Sequence, residues 1–362
     1  MKLILAFLFL SSLAQAFPEM IRHHYVNCSA CHVSNNGGGV LNAYGRTISY
    51  EVLSTWGNDQ EARAFYAIDP EKVGAWLNIG GDVRGLQVHQ ENPMIKRGKY
   101  FWMQGSVDVS ATAADVTAFV TIGQVQTTTQ TWREISPKFF LSYQATDELA
   151  VRAGRFIPSY GLNIPQHQYM VKDNLRLVPW TERDAADIQW NGERYTFVAG
   201  YSKSLLNSLI RDEEKAVNLQ AQMTFADSHK VGINYWDGIA NNYAKTMVGL
   251  QGVFGFTEKF YSLAEVDHVS TIVKASNRET KSIYELLKVG YEFYKGAHFQ
   301  VVQEFSRPDL DVNSIETQSL GAGGMWYPRP HFELEGLWSK RRTLGTSTDF
   351  EDYAYLLTHF YF

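Results

Sequence analysis

Val217-Asn218-Leu219-Gln220-Ala221-Gln222-Met223 decides the fold. Apolar residues fall on every second position with polar amides between them, the period of a strand whose two faces meet different surroundings. Val107-Asp108-Val109-Ser110-Ala111, Leu149-Ala150-Val151-Arg152-Ala153, Phe332-Glu333-Leu334-Glu335-Gly336-Leu337-Trp338 and the stretch from His298 to Phe305 alternate in the same way. Arg152, Gln220, Gln222 and Glu304 share the polar parity, which suits a wet interior on one side and lipid on the other.

The connections carry a second signal. Tight turns are expected at Ala111 to Asp115, Ala145 to Glu148, Asn191 to Arg194, Ala226 to His229, Thr257 to Lys259, Tyr294 to Ala297 and Tyr327 to His331. Longer polar connections lie around and between them, at Gln90 to Lys99, Thr127 to Pro137, Phe156 to Asp184, Lys203 to Lys215, Gly238 to Lys245, Val269 to Thr280, Ser306 to Thr317 and Ser339 to Phe350. Seven short turns alternating with eight long loops make sixteen strands, within a range of 14 to 18. An even count with loops of two lengths is the pattern of an all-β, antiparallel transmembrane barrel over residues 73–362. A soluble sandwich has no reason to alternate its loop lengths. The last segment, Tyr353 to Phe362, ends on an aromatic residue with Leu356 and Phe360 on the same face. Trp76, Trp102, Trp190, Trp326, Trp338, Tyr353 and Tyr355 stand near strand ends, where interfacial girdles form.

Residues 1–16 read as a signal peptide: Lys2, an apolar core from Leu3 to Leu10, and Ala14-Gln15-Ala16 as the cleavage site. Its removal takes the formal charge from -5 to -6 (32 basic against 38 acidic residues), which argues against nucleic acid as a partner. The expected address is the bacterial outer membrane, with membrane lipid as a partner.

Residues 17–72 have a different character. The chain's only two cysteines occur in Cys28-Ser29-Ala30-Cys31-His32, the spacing that attaches a c-type haem. Each thiol adds across a vinyl group, and His32 stands beneath the iron as axial ligand. A zinc site would need two further ligands nearby. One covalent haem c, held by Cys28 and Cys31 with His32 on the metal, would supply the core that a segment of about 55 residues lacks. The segment is thus expected to be a small haem-binding plug. Gly37-Gly38-Gly39 could let backbone pass close to a flat cofactor, or serve as a plain linker. Met20, His23 and His24 are candidates for a second axial ligand, although solvated or hydrogen-bonded histidines are the favoured reading. His167, in the longest connection, and His298, on the inward parity with Gln300 and Glu304, read as ordinary histidines. The long connection itself could fold into the lumen or cap the outer mouth. A short helix is expected over Asp59 to Tyr66, with a boundary at Asp69-Pro70.

Arg22, the motif Cys28, Cys31 and His32, and Leu41-x-x-Tyr44-Gly45-Arg46 after it resemble the fused cytochrome-porin family, whose best-known members are outer-membrane iron oxidases. Gly154-Arg155-Phe156-Ile157-Pro158-Ser159-Tyr160-Gly161-Leu162 is similar to a segment common to many bacterial porins. Iron-oxidase members usually carry an aromatic-proline pair where this chain has Ser34 to Gly39, and their barrels tend to be longer. The resemblance implies a porin-cytochrome moving electrons between an extracellular donor or acceptor, Fe(II) among them, and a periplasmic c-type cytochrome or other carrier. Two alternatives stand beside it: a porin for small solutes with the segment as a structural plug, and a haem enzyme such as a peroxidase. The last has no paired distal His and Arg in a recognisable spacing.

Overall fold

The computed structural model describes residues 18–34, 39–62, 76–126, 132–134, 138–164, 166, 168–179, 181–206, 212–312, 315–345 and 349–362. The expected signal peptide, the boundary between residues 72 and 73, and His167 lie outside them.

Seventeen strands are laid down in chain order: β1 (Leu77–Glu91), β2 (Lys96–Ala113), β3 (Val116–Gln126), β4 (Trp132–Glu134), β5 (Lys138–Gln144), β6 (Leu149–Phe156), β7 (Arg183–Asn191), β8 (Tyr195–Ser204) and β9 (Lys215–Phe225). They continue through β10 (His229–Ile239), β11 (Tyr243–Gly255), β12 (Phe260–Val273), β13 (Arg278–Tyr294), β14 (Ala297–Arg307), β15 (Thr317–Arg329), β16 (Phe332–Thr343) and β17 (Glu351–Tyr361). β4 and β5 both pair with β3, at Gln124–Gln126 and Val116–Thr121, and form two pieces of one stave. Every other strand pairs antiparallel with its neighbours in sequence. β1 meets β17 from Asp82↔Tyr361 to Glu91↔Asp352, so the sheet closes into a sixteen-stave barrel.

Alternation sets which face is which. Val217 and Leu219 of β9 are 44% and 45% exposed on the outer surface, while Asn218 and Gln220 between them are 1% and 8% exposed. Leu356 is exposed outside in the same way, and Tyr355 and Leu357 turn inward. Trp76, Trp102, Trp190, Trp326 and Trp338 are all exposed, which the girdle expectation requires. It is corrected for two tyrosines: Tyr355 donates to Glu335 in the lumen, and Tyr353 packs against the inner apolar cluster.

All seven tight turns fall where expected. At one, the three-residue turn 226–228, Ala226 and Asp227 have φ of 48° and 55°, left-handed conformations that reverse the chain tightly. Three expected long connections are corrected to short ones: residues 92–95, 240–242 and 274–277. Their strands run on; β2 has 18 residues and β13 has 17, against the roughly 9–11 that span a bilayer. The added length stands in water, where polar side chains on both faces cost little, so polarity alone read as loop. No described helix is long and apolar enough to cross a membrane, which does not bear on strands.

Candidate functional site

Residues 18–34 and 39–62 fill the end of the barrel that carries the short turns. A tight helical turn, Pro18–His23, packs on β10, β11 and β12. Met20, Cys31, Leu41, Ile48 and Leu53 form one apolar cluster with Met325, Tyr327 and Tyr361 of the wall. Val40 joins Phe119, Phe140 and Phe156 on the far side. Polar ties close the gaps. Arg22 reaches Glu292 and the Glu258 carbonyl, and Lys230 donates to the Val26 carbonyl. Arg46 donates to the Ile79 carbonyl at 2.8 Å, His331 Nε2 lies 2.7 Å from the Ala62 carbonyl, and Arg329 pairs with Glu61 at 3.1 Å. The described part of the segment is thus fastened to several staves.

The cysteine-histidine motif is held as one side of a small hairpin. Cys31 N and His32 N both donate to the Cys28 carbonyl, at 3.2 and 3.0 Å. Val33 N bonds the Val40 carbonyl at 3.1 Å, His32 bridges Leu41, and Asn42 N bonds the Cys31 carbonyl at 2.9 Å. Asn42 also donates its side-chain amide to the Ala30 carbonyl at 2.8 Å and accepts from Gly45 N at 2.9 Å, capping helix α1 (Ala43–Ile48). A Cβ on Gly45 would stand 2.4 Å from the Cys31 carbonyl oxygen, so only glycine lets α1 lie this close to the motif. Leu41, Gly45 and Arg46 thus each have a structural role in seating the motif. The expected helix near residue 59 is present as α2 (Asp59–Ala62); its continuation lies outside the described residues.

Cys28 and His32 border a lumenal cavity of about 310 Å³, at the lower end of ligand-pocket volumes. Cys31 sits one layer behind, among Leu41, Ile48, Leu53 and Tyr361, which line the cavity themselves. The two cysteines are not joined. Burial pushes the Cys28 thiol up in pKa, with the Lys230 charge pulling the other way. Phe119 and Phe140 give the cavity an apolar wall; Arg84, Lys138, Arg152 and Lys230 give it cations. One thiol and the motif's imidazole stand at the edge of the cavity with the second thiol behind it, and the aromatic walls and cations are groups that a tethered porphyrin with its two carboxylates would use. Met20, His23 and His24 do not line this cavity. Met20 is core, and His298 lies 3.2 Å from the Tyr261 hydroxyl, a packed histidine as expected. Among the described residues, no three His, Cys, Asp or Glu side chains converge to hold a metal ion.

The long connection folds into the lumen, the first of its two expected courses. Tyr160, Leu162, Tyr169, Val171 and Leu175 bury there, the last two on helix α3 (Met170–Leu175), which packs on β13 and β14. Lys172 meets Glu265 at 2.9 Å, Leu162 N donates to the same carboxylate at 3.1 Å, and Met170 N donates to Glu304 at 2.6 Å. Gln220 donates to the Gly161 carbonyl at 3.3 Å. Across the lumen, His359 lies between Glu333 (2.8 Å) and Asp82 (2.6 Å), joining β16, β17 and β1 at the closure of the barrel. Sequence reasoning did not single out Lys172, Glu265, Glu333 or His359. The signal available was parity, since Glu333 and Glu335 alternate with outward apolar residues.

No family model matches the sequence, and no curated protein matches it. Solved structures do. A loop-deletion form of OmpT, an outer membrane protein of Vibrio cholerae, superposes with a TM-score of 0.59 at 10% identity, covering 79% of this chain and 99% of that one. The outer membrane channel DcaP of Acinetobacter baumannii gives 0.57 at 11% identity (79% and 97%), and an anion-selective porin from Comamonas acidovorans gives 0.58 at 8% (79% and 99%). The chain has the fold of an outer-membrane porin. The outer-membrane address expected from the sequence is the one to which the porin fold belongs, and the outward apolar face gives that barrel its contact with lipid. The resemblance drawn from the sequence is supported in its porin part.

Proposed function

We propose that the chain is a porin-type channel of the outer membrane whose periplasmic mouth is stoppered by residues 18–62. The observation that carries this reading is the ring of ties, from Lys230 and Glu292 round to Ile79, that fixes the segment to the wall. Passage of a small solute then waits on movement of the stopper, while the inserted loop narrows the lumen above it. Single-channel recording in planar lipid bilayers tests this. The intact protein is expected to stay mostly closed, and a form lacking residues 18–62 to stay open. Equal conductance from the two would sink the reading.

A second reading is favoured by the placement of Cys28 and His32 on the cavity: the stopper carries haem c and serves electron transfer. Such a group supplies reversible one-electron chemistry when bound. Cys28 and Cys31 would tether it, His32 would ligate its iron, Phe119 and Phe140 would keep water from it, and Arg84 and Lys138 would face its carboxylates. The partners on this reading are an extracellular donor or acceptor, Fe(II) included, and a periplasmic c-type cytochrome or other carrier. Haem staining after denaturing electrophoresis, followed by reduction with a membrane-impermeant donor added outside intact cells, is the test. Reduction from outside supports the conduit; covalent haem that no external donor reduces returns the segment to a structural stopper.

A further inference from the structure

The stopper does not stay inside the barrel. Leu53 and Ser54 are buried in the lumen, Leu53 beside the inward Met325 and Tyr327. Thr55 N then donates to the Tyr327 carbonyl at 2.8 Å and Trp56 N to the Pro328 carbonyl at 3.0 Å. Trp56 emerges on the membrane side, edge-on to the outward Trp326 with ring centroids 5.8 Å apart. The chain has crossed the rim of the barrel in three residues. Two glycines make the crossing possible. A Cβ on Gly296, whose φ is 74°, would stand 2.4 Å from the Leu53 carbonyl oxygen, and one on Gly57 would stand 2.5 Å from Pro330.

Outside the rim, Trp56 and Trp326 join Phe293, Tyr294 and Phe299 around a groove of about 500 Å³. Its floor is nearly bare backbone at Ala297, Gly323 and Gly324. Phe299 is paired in register with Gly324, where an added Cβ would meet only the His298 carbonyl within 4 Å. An outward side chain could stand there with a small shift of that carbonyl, 3.1 Å from the added atom, and glycine leaves the space open.

We propose that this groove seats one acyl chain of a phospholipid from the periplasmic leaflet, so that Trp56 ties the stopper to the bilayer. The groove is continuous with the outward apolar surface that runs through Leu287, Leu320, Trp338 and Leu356, and that surface meets lipid. It lies at the short-turn rim, where aromatic residues mark the level of headgroups, beside Lys295, whose ammonium donates to the Tyr50 carbonyl of the stopper at 3.2 Å. The inference rests on the barrel's place in a membrane and is independent of whether the stopper carries haem.

The full chain, reconstituted into phosphatidylcholine vesicles brominated on the acyl chain, provides the test. Trp56→Phe isolates Trp56 by difference from the other eight of the nine tryptophans. The difference emission should be quenched several-fold more by the bromines than by aqueous acrylamide, and Gly324→Phe, which fills the groove, should abolish that preference. Heat-modifiable mobility shows which variants fold; if Gly324→Phe does not, Phe299→Ala, which removes a wall, carries the same expectation. Preferential quenching by acrylamide would overturn the proposal in favour of open water. Bromine quenching unchanged in Gly324→Phe and Phe299→Ala would reduce it to ordinary lipid contact. A groove covered in cross-linked oligomers and shielded from both quenchers would assign it to a second copy of this chain.

Discussion

Arg22 of the stopper meets Glu292 of β13 with the guanidinium wholly out of water and the carboxylate nearly so. The same guanidinium reaches the Glu258 carbonyl in the turn between β11 and β12 and lies over the Tyr261 ring at 5.7 Å. Taking one partner from such a pair leaves the other charge buried and uncompensated, which costs about 3–5 kcal/mol. Arg22→Ala should therefore loosen the stopper while the closed sheet persists. Limited proteolysis is the check: cleavage within residues 18–62 should appear in a protein that still shows heat-modifiable mobility, and an unchanged pattern would show that this pair does not hold the stopper.

Docking should also depend on acidity. Burial, helped by the neighbouring Arg22 charge, pushes the His23 pKa down from 6.5 to about 4. A base whose docked value is depressed binds its proton better when undocked, so the undocked form takes up more protons between those values. Stability of the docked stopper is then fully present above about pH 6.5 and falls as pH drops toward 4. Protease sensitivity of residues 18–62 should rise through that window, and His23→Gln should flatten the rise. A curve that steepens toward high pH would contradict the assignment.

The barrel was legible because strand period and turn chemistry are local. Val217 to Met223 shows its two faces in seven residues, and all seven tight turns followed from short polar breaks. Loop length was less legible, since a strand that leaves the bilayer turns polar without ceasing to be a strand, as β2 and β13 do. At the site, Cys28, Cys31 and His32 were found by spacing. Gly45 stood out only through the resemblance, since its role runs through a carbonyl fourteen positions away, and Lys230 did not stand out at all, because it acts through a carbonyl on another element altogether. Tyr355 and Trp338 look alike as aromatic residues near strand ends; parity against Leu356 is what separates lumen from lipid.

Among the described carboxylates that hold the inserted loop, Glu265 is the one in an ion pair with it. Glu265 takes Lys172 at 2.9 Å and Leu162 N at 3.1 Å, with both side chains almost fully buried. Glu265→Gln leaves the Lys172 ammonium without its counter-charge, at a cost of about 3 kcal/mol or more. The expected result is a loop that leaves the wall intermittently, read as flicker in single-channel records and as new cleavage between residues 157 and 182. Replacing both members, Lys172→Met with Glu265→Leu, removes the stranded charge and should restore a quiet trace, because apolar replacement of a buried pair is often neutral. If the double variant flickers as much as the single one, loss of the ion pair itself, and not a stranded charge, is what frees the loop.

Seating and tethering at the motif can be separated by substitution. Cys28→Ser removes a tether and changes little else, since Cys28 borders the cavity and its backbone carbonyl, not its sulfur, organises the hairpin. His32→Ala removes the proposed iron ligand and leaves the bridge to Leu41, which is made by backbone. Gly45→Ala is different: the added methyl collides with the Cys31 carbonyl and drives α1 off the hairpin, breaking the Asn42 N to Cys31 bond. Visible spectra should therefore show abnormal or missing covalent haem in all three variants, with protease sensitivity of the stopper increased only in Gly45→Ala. Normal haem spectra in Cys28→Ser or His32→Ala would overturn the site, whereas a protease-resistant Gly45→Ala would overturn the account of how it is seated.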